Sequence, residues 1–309
     1  MSESIDLDGR TAVVTGAGGG LGRAEALALA AAGARVVVND VGSAADDVVG
    51  EIEDAGGKAI AVTGDVGEWS MGDALVTAAV ETFGSLDIVV NNAGVLRDTM
   101  LFNLTESQWD DVIRVHLKGH AALSRAAAVH WRSASKAAGG PVYGRVVNTS
   151  SEAFLFGSAG QPNYSAAKAG ITALTLSTAQ GLSRYGVRAN AICPRARTAM
   201  TGHVFGADPN EDTALDALAP ERVAEFVRFL AAPAADGING QVFVVYGGMV
   251  ALLAPATVEK KFEAADGVFT AAEFAGQVTP YFEGRSPYRT FSAYSIAQLD
   301  TTGIQNLTQ

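Results

Sequence analysis

Tyr164 and Lys168 stand four residues apart, a spacing that brings two side chains onto one helix face a turn apart. A free phenol ionises at about pH 10, too high for a base near neutrality, and a neighbouring ammonium lowers that value by stabilising the phenolate. Ser151 lies thirteen residues before Tyr164, at the end of an apolar strand. Its hydroxyl can donate to a substrate oxygen on which charge develops. The three residue types describe acid–base work at an alcohol or a carbonyl. A Tyr-x-x-x-Lys pair by itself is common as surface or packing decoration, so its weight depends on its surroundings.

The stretch Thr15-Gly16-Ala17-Gly18-Gly19-Gly20-Leu21-Gly22 sits between an apolar strand and a helix-forming segment. Gly16, Gly19, Gly20 and Gly22 allow a tight turn and a close backbone approach. Leu21 opens a helix whose first N–H groups are unpaired and suited to a phosphate. In that context the turn reads as a dinucleotide cradle. Asp40 ends the next strand, 24 positions after Gly16. A carboxylate there accepts hydrogen bonds from ribose hydroxyls and repels a 2′-phosphate, which points to NAD over NADP. The plainer alternative makes Asp40 a cap for the following helix. Arg23, just past the turn, is the residue that would favour a phosphate.

These residues need a frame. Thr11–Thr15, Arg35–Asn39, Ala59–Thr63, Asp87–Val90, Arg145–Asn148, Val187–Ile192 and Val242–Tyr246 read as strands, Val-rich and apolar on both faces. Leu21–Ala32, Ser43–Ala55, Ser70–Phe83, Glu106–Ala138, Tyr164–Arg184 and Pro220–Ala232 read as the helices between them. Gly33 suits a C′ position, and Pro220 a first helical turn. The alternation predicts an α/β fold, a Rossmann-like doubly wound parallel sheet with helices on both faces. Residues 1–250 form the catalytic domain in this reading. Residues 251–309 form a C-terminal extension with no strong strand signal, packed on the same domain or at an oligomer interface. Phe269–Ala275 and Tyr288–Leu299 are expected on its surface.

Taken together, Thr15-Gly16-x-x-x-Gly20-x-Gly22, Asn91-Asn92-Ala93-Gly94, Ser151 and Tyr164-Ser165-Ala166-Ala167-Lys168 resemble the short-chain dehydrogenase/reductase family, in its order, over about Asp8 to Gly248. The resemblance implies seven strands, a homodimer or homotetramer, Tyr164 as acid–base and Ser151 orienting the carbonyl. It also implies Lys168 on the nicotinamide ribose, Asn92, Ala93 and Gly94 supporting the adenine side, and Asp65 and Val66 at the adenine ring. Pro194 belongs to the loop beside the nicotinamide, and Thr198 matches the threonine that meets the carboxamide or diphosphate. Two departures stand out. His116 occupies the position of the family's usual water-holding asparagine, so it is either structural or a support for the proton relay. Arg195 follows Pro194 where the family has glycine.

Val95-Leu96-Arg97-Asp98, Arg114–Gly119 and Gly160–Lys168 further resemble the dehydrogenase part of the peroxisomal multifunctional enzyme type 2. That resemblance implies oxidation of a 3-hydroxyacyl-CoA (fatty acyl or sterol side-chain) with NAD. A 17β-hydroxysteroid or other alcohol is the alternative substrate, and a non-catalytic dinucleotide sensor the alternative of another class. Arg97, Arg195, Arg197 and Arg285 are the candidate cations for the CoA phosphates. The loop Ala196–Ala217 shapes the pocket, with Gly202–Asp212 as a lid.

The bulk numbers limit partners. The chain has 309 residues, 48% of them hydrophobic, and a formal net charge of −11. Nucleic acid and anionic membranes are therefore unsuited as partners; the small lipid-like or acyl-CoA substrate is what the resemblance implies. No metal cluster is apparent in the spacing of its His, Cys, Asp and Glu residues. A single cysteine, Cys193, lies in the apolar run Val187–Pro194 and is expected to be buried and inert. No h-region, no membrane-length run and no Ser-Lys-Leu ending is visible, so a cytoplasmic location is expected.

Overall fold

Alternate residues along the Val-rich strands face opposite sides of the sheet, so each strand feeds two cores. The computed structural model describes residues 4–202, 216–264, 267–293, 295, 296 and 299. Strands β1 (Thr11–Thr15), β2 (Arg35–Asp40), β3 (Lys58–Thr63), β4 (Ile88–Asn91), β5 (Gly144–Thr149), β6 (Val187–Pro194), β7 (Val242–Tyr246) and β8 (Met249–Leu252) form one sheet. Their order is β3-β2-β1-β4-β5-β6-β7-β8. Val14, Val36 and Val38 enter one core, while Val13, Val37 and Val89 enter the other.

The helices are α1 (Gly20–Ala31), α2 (Ala44–Asp54), α3 (Trp69–Phe83), α4 (Glu106–Ile113), α5 (Gly119–Ala138), α6 (Ala153–Phe156), α7 (Pro162–Leu182), α8 (Pro220–Ala231) and α9 (Ala271–Phe282). Leu21, Ala26, Leu29, Val48, Ile52, Val223 and Val227 of α1, α2 and α8 cover the first core. Leu75, Ala79, Leu123, Ala127, Trp131 and Ala179 of α3, α5 and α7 cover the second. Gly33 turns the chain after α1 at φ +95°, and Pro220 opens α8, as their types predict.

Three features depart from the sequence reading. The sheet has eight strands, not seven, because β8 folds back antiparallel on β7, pairing Tyr246 with Met249 across a tight turn. It therefore crosses the boundary drawn at residue 250. The long segment Glu106–Ala138 is not one uniform helix: Arg114–Lys118 forms a π-helical turn between α4 and α5. Within the extension, Ile296 is buried rather than superficial, whereas α9 buries none of its residues. The lid expected at Gly202–Asp212 lies, beyond Gly202, outside the described residues. No described helix is long and apolar enough to cross a membrane.

Winding reverses between β1 and β4. The chain runs outward through β2 and β3, then returns to the opposite side of β1 at β4. A crevice must open beyond the carboxyl ends of these two strands, because their following loops diverge.

One core residue is chemically out of place. Glu25, on the sheet face of α1 between Leu21 and Leu29, is fully buried, and neither carboxylate oxygen has a partner. Burial pushes its carboxyl up to about 8. The folded state thus keeps a proton that the unfolded chain releases between about 4.5 and 8. Stability contributed by this group is lost as pH rises through that window, at up to about 1.4 kcal/mol per pH unit. Thermal melts of Glu25→Leu between pH 5 and 8 should show a flatter decline than the unaltered protein. Parallel declines would mean that the carboxyl is satisfied in solution.

Candidate active site

The crevice is stitched at its base by one hydroxyl. Thr15 Oγ1 accepts the Asn92 and Ala93 N–H groups at 3.1 and 3.2 Å. The Asn92 amide answers by donating to the Thr15 and Gly16 carbonyls, both at 3.1 Å. The glycine turn and the Asn-Ala-Gly turn are thereby locked together. Gly16 adopts φ +62°, and a Cβ there would lie 2.7 Å from Ala93 Cα. A Cβ on Gly22 would lie 2.3 Å from the Gly16 carbonyl oxygen. Gly22 therefore packs behind the turn, while Gly16, Gly19, Gly20 and Leu21 line the cleft. A Cβ built on Gly19 meets nothing within 4 Å, so the space in front of the helix start is open. Such a surface of bare backbone fits a pyrophosphate.

The cleft has a volume of about 510 Å³ and reaches from Asp40 to Tyr164. Asp40 Oδ2 accepts the Gly18 N–H at 2.9 Å and Oδ1 the Val41 N–H at 2.7 Å. The carboxylate thus braces the glycine turn and is not the cap of α2, whose N-cap is Ser43. Arg23 is held by Glu51, with Nε to Oε1 at 2.9 Å. Asp65 and Val66 line the same end of the cleft. Burial alone would raise the Asp65 carboxyl; hydrogen bonds from Arg114 at 2.6 Å and from Gly67 N–H at 2.8 Å outweigh it and hold it below its ordinary range. Pro194 ends β6 at the other end, and Thr198 sits against Gly20.

Tyr164 and Lys168 rise from the first turns of α7, which Pro162 opens. Lys168 is 2% exposed; its Nζ donates to the Thr149 carbonyl at 2.6 Å and lies 5.3 Å from the centre of the Tyr164 ring. Ser151 stands two residues beyond β5, rather than ending it. Burial pushes the Tyr164 phenol up to about 12, against the pull of its hydrogen bond to Ser151. Burial also brings the Lys168 ammonium down to about 7. Removal from water thus acts on both groups, in opposite directions.

His116 lies in the π-helical turn, its ring edge-on to Tyr164 at 5.2 Å between centroids. Its Nε2 is 2.8 Å from the Val95 carbonyl and 3.0 Å from the Val95 N–H. Gly94 is required beside it, since a Cβ there would meet the imidazole Cε1 at 2.3 Å. Nδ1 is buried without a partner. Burial, with the Lys168 charge, pushes the imidazole well below its ordinary range, so the ring is neutral.

A family model for short chain dehydrogenases matches residues 10–207. The chain belongs to the short-chain dehydrogenase family. It is an oxidoreductase on that ground, and the family uses a nicotinamide dinucleotide. Hydroxyacyl-CoA dehydrogenase ChsB1 of Mycobacterium tuberculosis is 56% identical over 303 residues, 96% of this chain and 95% of that protein. The peroxisomal multifunctional enzyme type 2 of Mus musculus is 41% identical over 82% of this chain, which matches only 34% of that protein. A crystal structure of a short chain dehydrogenase from Mycobacterium avium superposes with a TM-score of 0.82 at 46% identity, covering 91% of this chain and 97% of that one.

Within this short-chain dehydrogenase site, several residues inside or beside the motifs have supporting roles that the sequence did not indicate. Asn163 is fully buried; its amide donates to the Arg97 and Gln108 carbonyls, and its oxygen accepts the Tyr164 N–H at 2.8 Å. It joins the segment after β4 and helix α4 to the start of α7. Asn91 donates to Asn148 at 2.8 Å, and Asn148 to Thr175 at 2.8 Å, a buried chain of amides beneath the cleft. Asn91 and Asn148 stand out as polar residues following apolar strand residues, and Asn163 lies within the Gly160–Lys168 segment. The candidate CoA cations are all engaged: Arg195 with Glu152, Arg197 with Asp216, Arg97 with Asp111 and Arg285 with Glu259.

His116 packs against the Tyr164 ring with Nδ1 unpartnered, and burial disfavours its protonation; His116→Ala tests the relay that the sequence left open beside a structural role. Turnover should fall roughly tenfold to a hundredfold, with NADH affinity retained. Unchanged turnover and an unchanged pH profile would leave the ring a purely space-filling role.

Proposed function

We propose that this chain oxidises a 3-hydroxyacyl-CoA to the 3-ketoacyl-CoA with NAD. The observation that carries the reading is the cleft, with a bare glycine turn between Asp40 at one end and the Tyr164–Lys168 pair at the other. Gly19, Gly20 and Leu21 would hold the pyrophosphate, and Asp40 the adenosine ribose. Asp65, Val66 and the Asn92–Gly94 turn would flank the adenine side; Lys168, Pro194 and Thr198 would flank the nicotinamide side. NAD, when bound, supplies the hydride acceptor. Preference for NAD is supported by the Asp40 carboxylate, held beside the glycine turn by the Gly18 N–H.

In this mechanism Ser151 holds the substrate hydroxyl and Tyr164 Oη takes its proton as the carbonyl forms. A phenol pushed up to about 12 needs positive charge nearby to serve as a base. Lys168, brought down to about 7, supplies that charge whenever it is protonated. The acyl-CoA substrate is supported by the name of the Mycobacterium tuberculosis relative, a hydroxyacyl-CoA dehydrogenase. Arg97 and Arg285 are the candidates for the CoA phosphates. Their pairs are more exposed to solvent than those of Arg195 and Arg197.

Tyr164→Phe should lower turnover by roughly a hundredfold to ten-thousandfold while NADH binding persists, because only the proton transfer is removed. Retained turnover would refute the mechanism. A panel of 3-hydroxyacyl-CoA esters and 17β-hydroxysteroids, each with NAD and NADP, checks substrate and cofactor together. The esters with NAD should give the highest kcat/KM. Turnover of steroids alone would overturn the substrate, and a preference for NADP would overturn the role of Asp40.

A further inference from the structure

Two charged residues beside the cleft have no part in the chemistry above. Glu152 directly follows Ser151, and Arg195 directly follows Pro194. Their ends meet in a two-pronged pair, Arg195 Nε to Glu152 Oε2 and Nη2 to Oε1, both at 2.6 Å. The two side chains are only 10% and 11% exposed. Removing two charges from water costs as much as their pairing returns, so apolar residues of equal volume would hold this place as firmly. What a paired guanidinium and carboxylate add is direction, since the flat fork fixes both planes.

The pair is anchored on three sides. The Arg195 guanidinium lies over the Tyr246 ring, 4.4 Å from its centre, and Nη2 reaches the Ile296 carbonyl at 3.5 Å. Ile296 shares a small apolar cluster with Cys193, Leu218, Val244 and Tyr246, separate from the two main cores. The same tail donates from Ala293 N–H to the Leu155 carbonyl of α6 at 3.0 Å. On the other side, Glu152 precedes α6, and Ser151 Oγ accepts the Ala153 N–H at 3.2 Å. The serine's turn, the end of β6 and the C-terminal tail therefore converge on one ion pair.

We infer that the Glu152–Arg195 pair is a positioning device for Ser151, which ties the serine's turn to β6 and the tail and so holds its hydroxyl against Tyr164. Neither residue touches the reacting atoms; both act through the serine. The inference rests on the dehydrogenase reading, because it gives Ser151 its task. A shift of about 1 Å in a reacting group can cost up to about a hundredfold in rate, so such a brace has a measurable effect.

A mutant cycle tests it. Arg195→Met alone would leave a buried carboxylate unpaired and destabilise the fold, so the variant used is Glu152→Gln with Arg195→Met. It should lower kcat about tenfold or more, with the NADH Kd within about twofold of the unaltered protein. Adding Ser151→Ala should cause no further loss beyond Ser151→Ala alone, because the pair acts through that hydroxyl. Tyr246→Leu, which keeps both charges paired but removes the ring beneath the guanidinium, should show the same dependence on Ser151 to a smaller degree. It also serves if the first variant does not fold. Unchanged kcat, or losses that add in full to that of Ser151→Ala, would overturn the inference. A protein that oxidises no hydroxyacyl substrate before any substitution would instead refute the proposed reaction.

Discussion

Everything at the cleft depends on how β1 and β4 end side by side and then part. The sheet reverses its winding there, and the two loops that leave it would fall away from each other without a bond between them. Thr15 and Asn92 supply that bond through four hydrogen bonds between the turns. The close approach leaves no room for side chains at Gly16 and Gly22, so the glycines follow from the stitch as much as from any ligand. Only Gly19 and its neighbours face open space. Two demands, internal packing and an uncluttered surface for a pyrophosphate, are thus met by one run of small residues.

The chemistry of the site arises from burial. Tyr164 and Lys168 share a helix face, Lys168 buried and Tyr164 half-buried in the cleft wall, and desolvation favours the neutral form of each. The phenol moves away from neutrality and the amine towards it. The outcome is an amine that can gain or lose its proton near pH 7, standing next to a phenol that needs a charged neighbour to react. His116 and Asn163 complete the surroundings, one against the ring and one against the backbone of the tyrosine.

Much of this was legible beforehand, for identifiable reasons. Buried parallel strands are long apolar runs, so seven of them could be placed within a residue or two of their ends. The eighth has only four residues, Met249–Leu252, and follows directly on the turn after the seventh, so its apolar run did not stand out as a separate strand. The π-helical turn escaped because the apolar spacing of Glu106–Ala138 continues through it. Side-chain partnerships were the least visible level. Arg195, Arg197, Arg97 and Arg285 read as free cations until the fold brought a carboxylate to each from between 14 and 43 residues away. Asn91, Asn148 and Asn163 gave no sign of forming the polar layer beneath the cleft, since such a layer exists only once β4, β5, α4 and α7 are assembled.

The single cysteine has a practical bearing. Cys193 is wholly enclosed beneath Tyr246 and the tail, and burial pushes its thiol up to about 12. The thiolate, which is the form that reacts, is therefore scarce and out of reach. Maleimides and mild oxidants should leave the native molecule untouched. One cysteine introduced on an exposed face would then be its sole attachment point for a fluorophore or spin label, with no need to remove the native one.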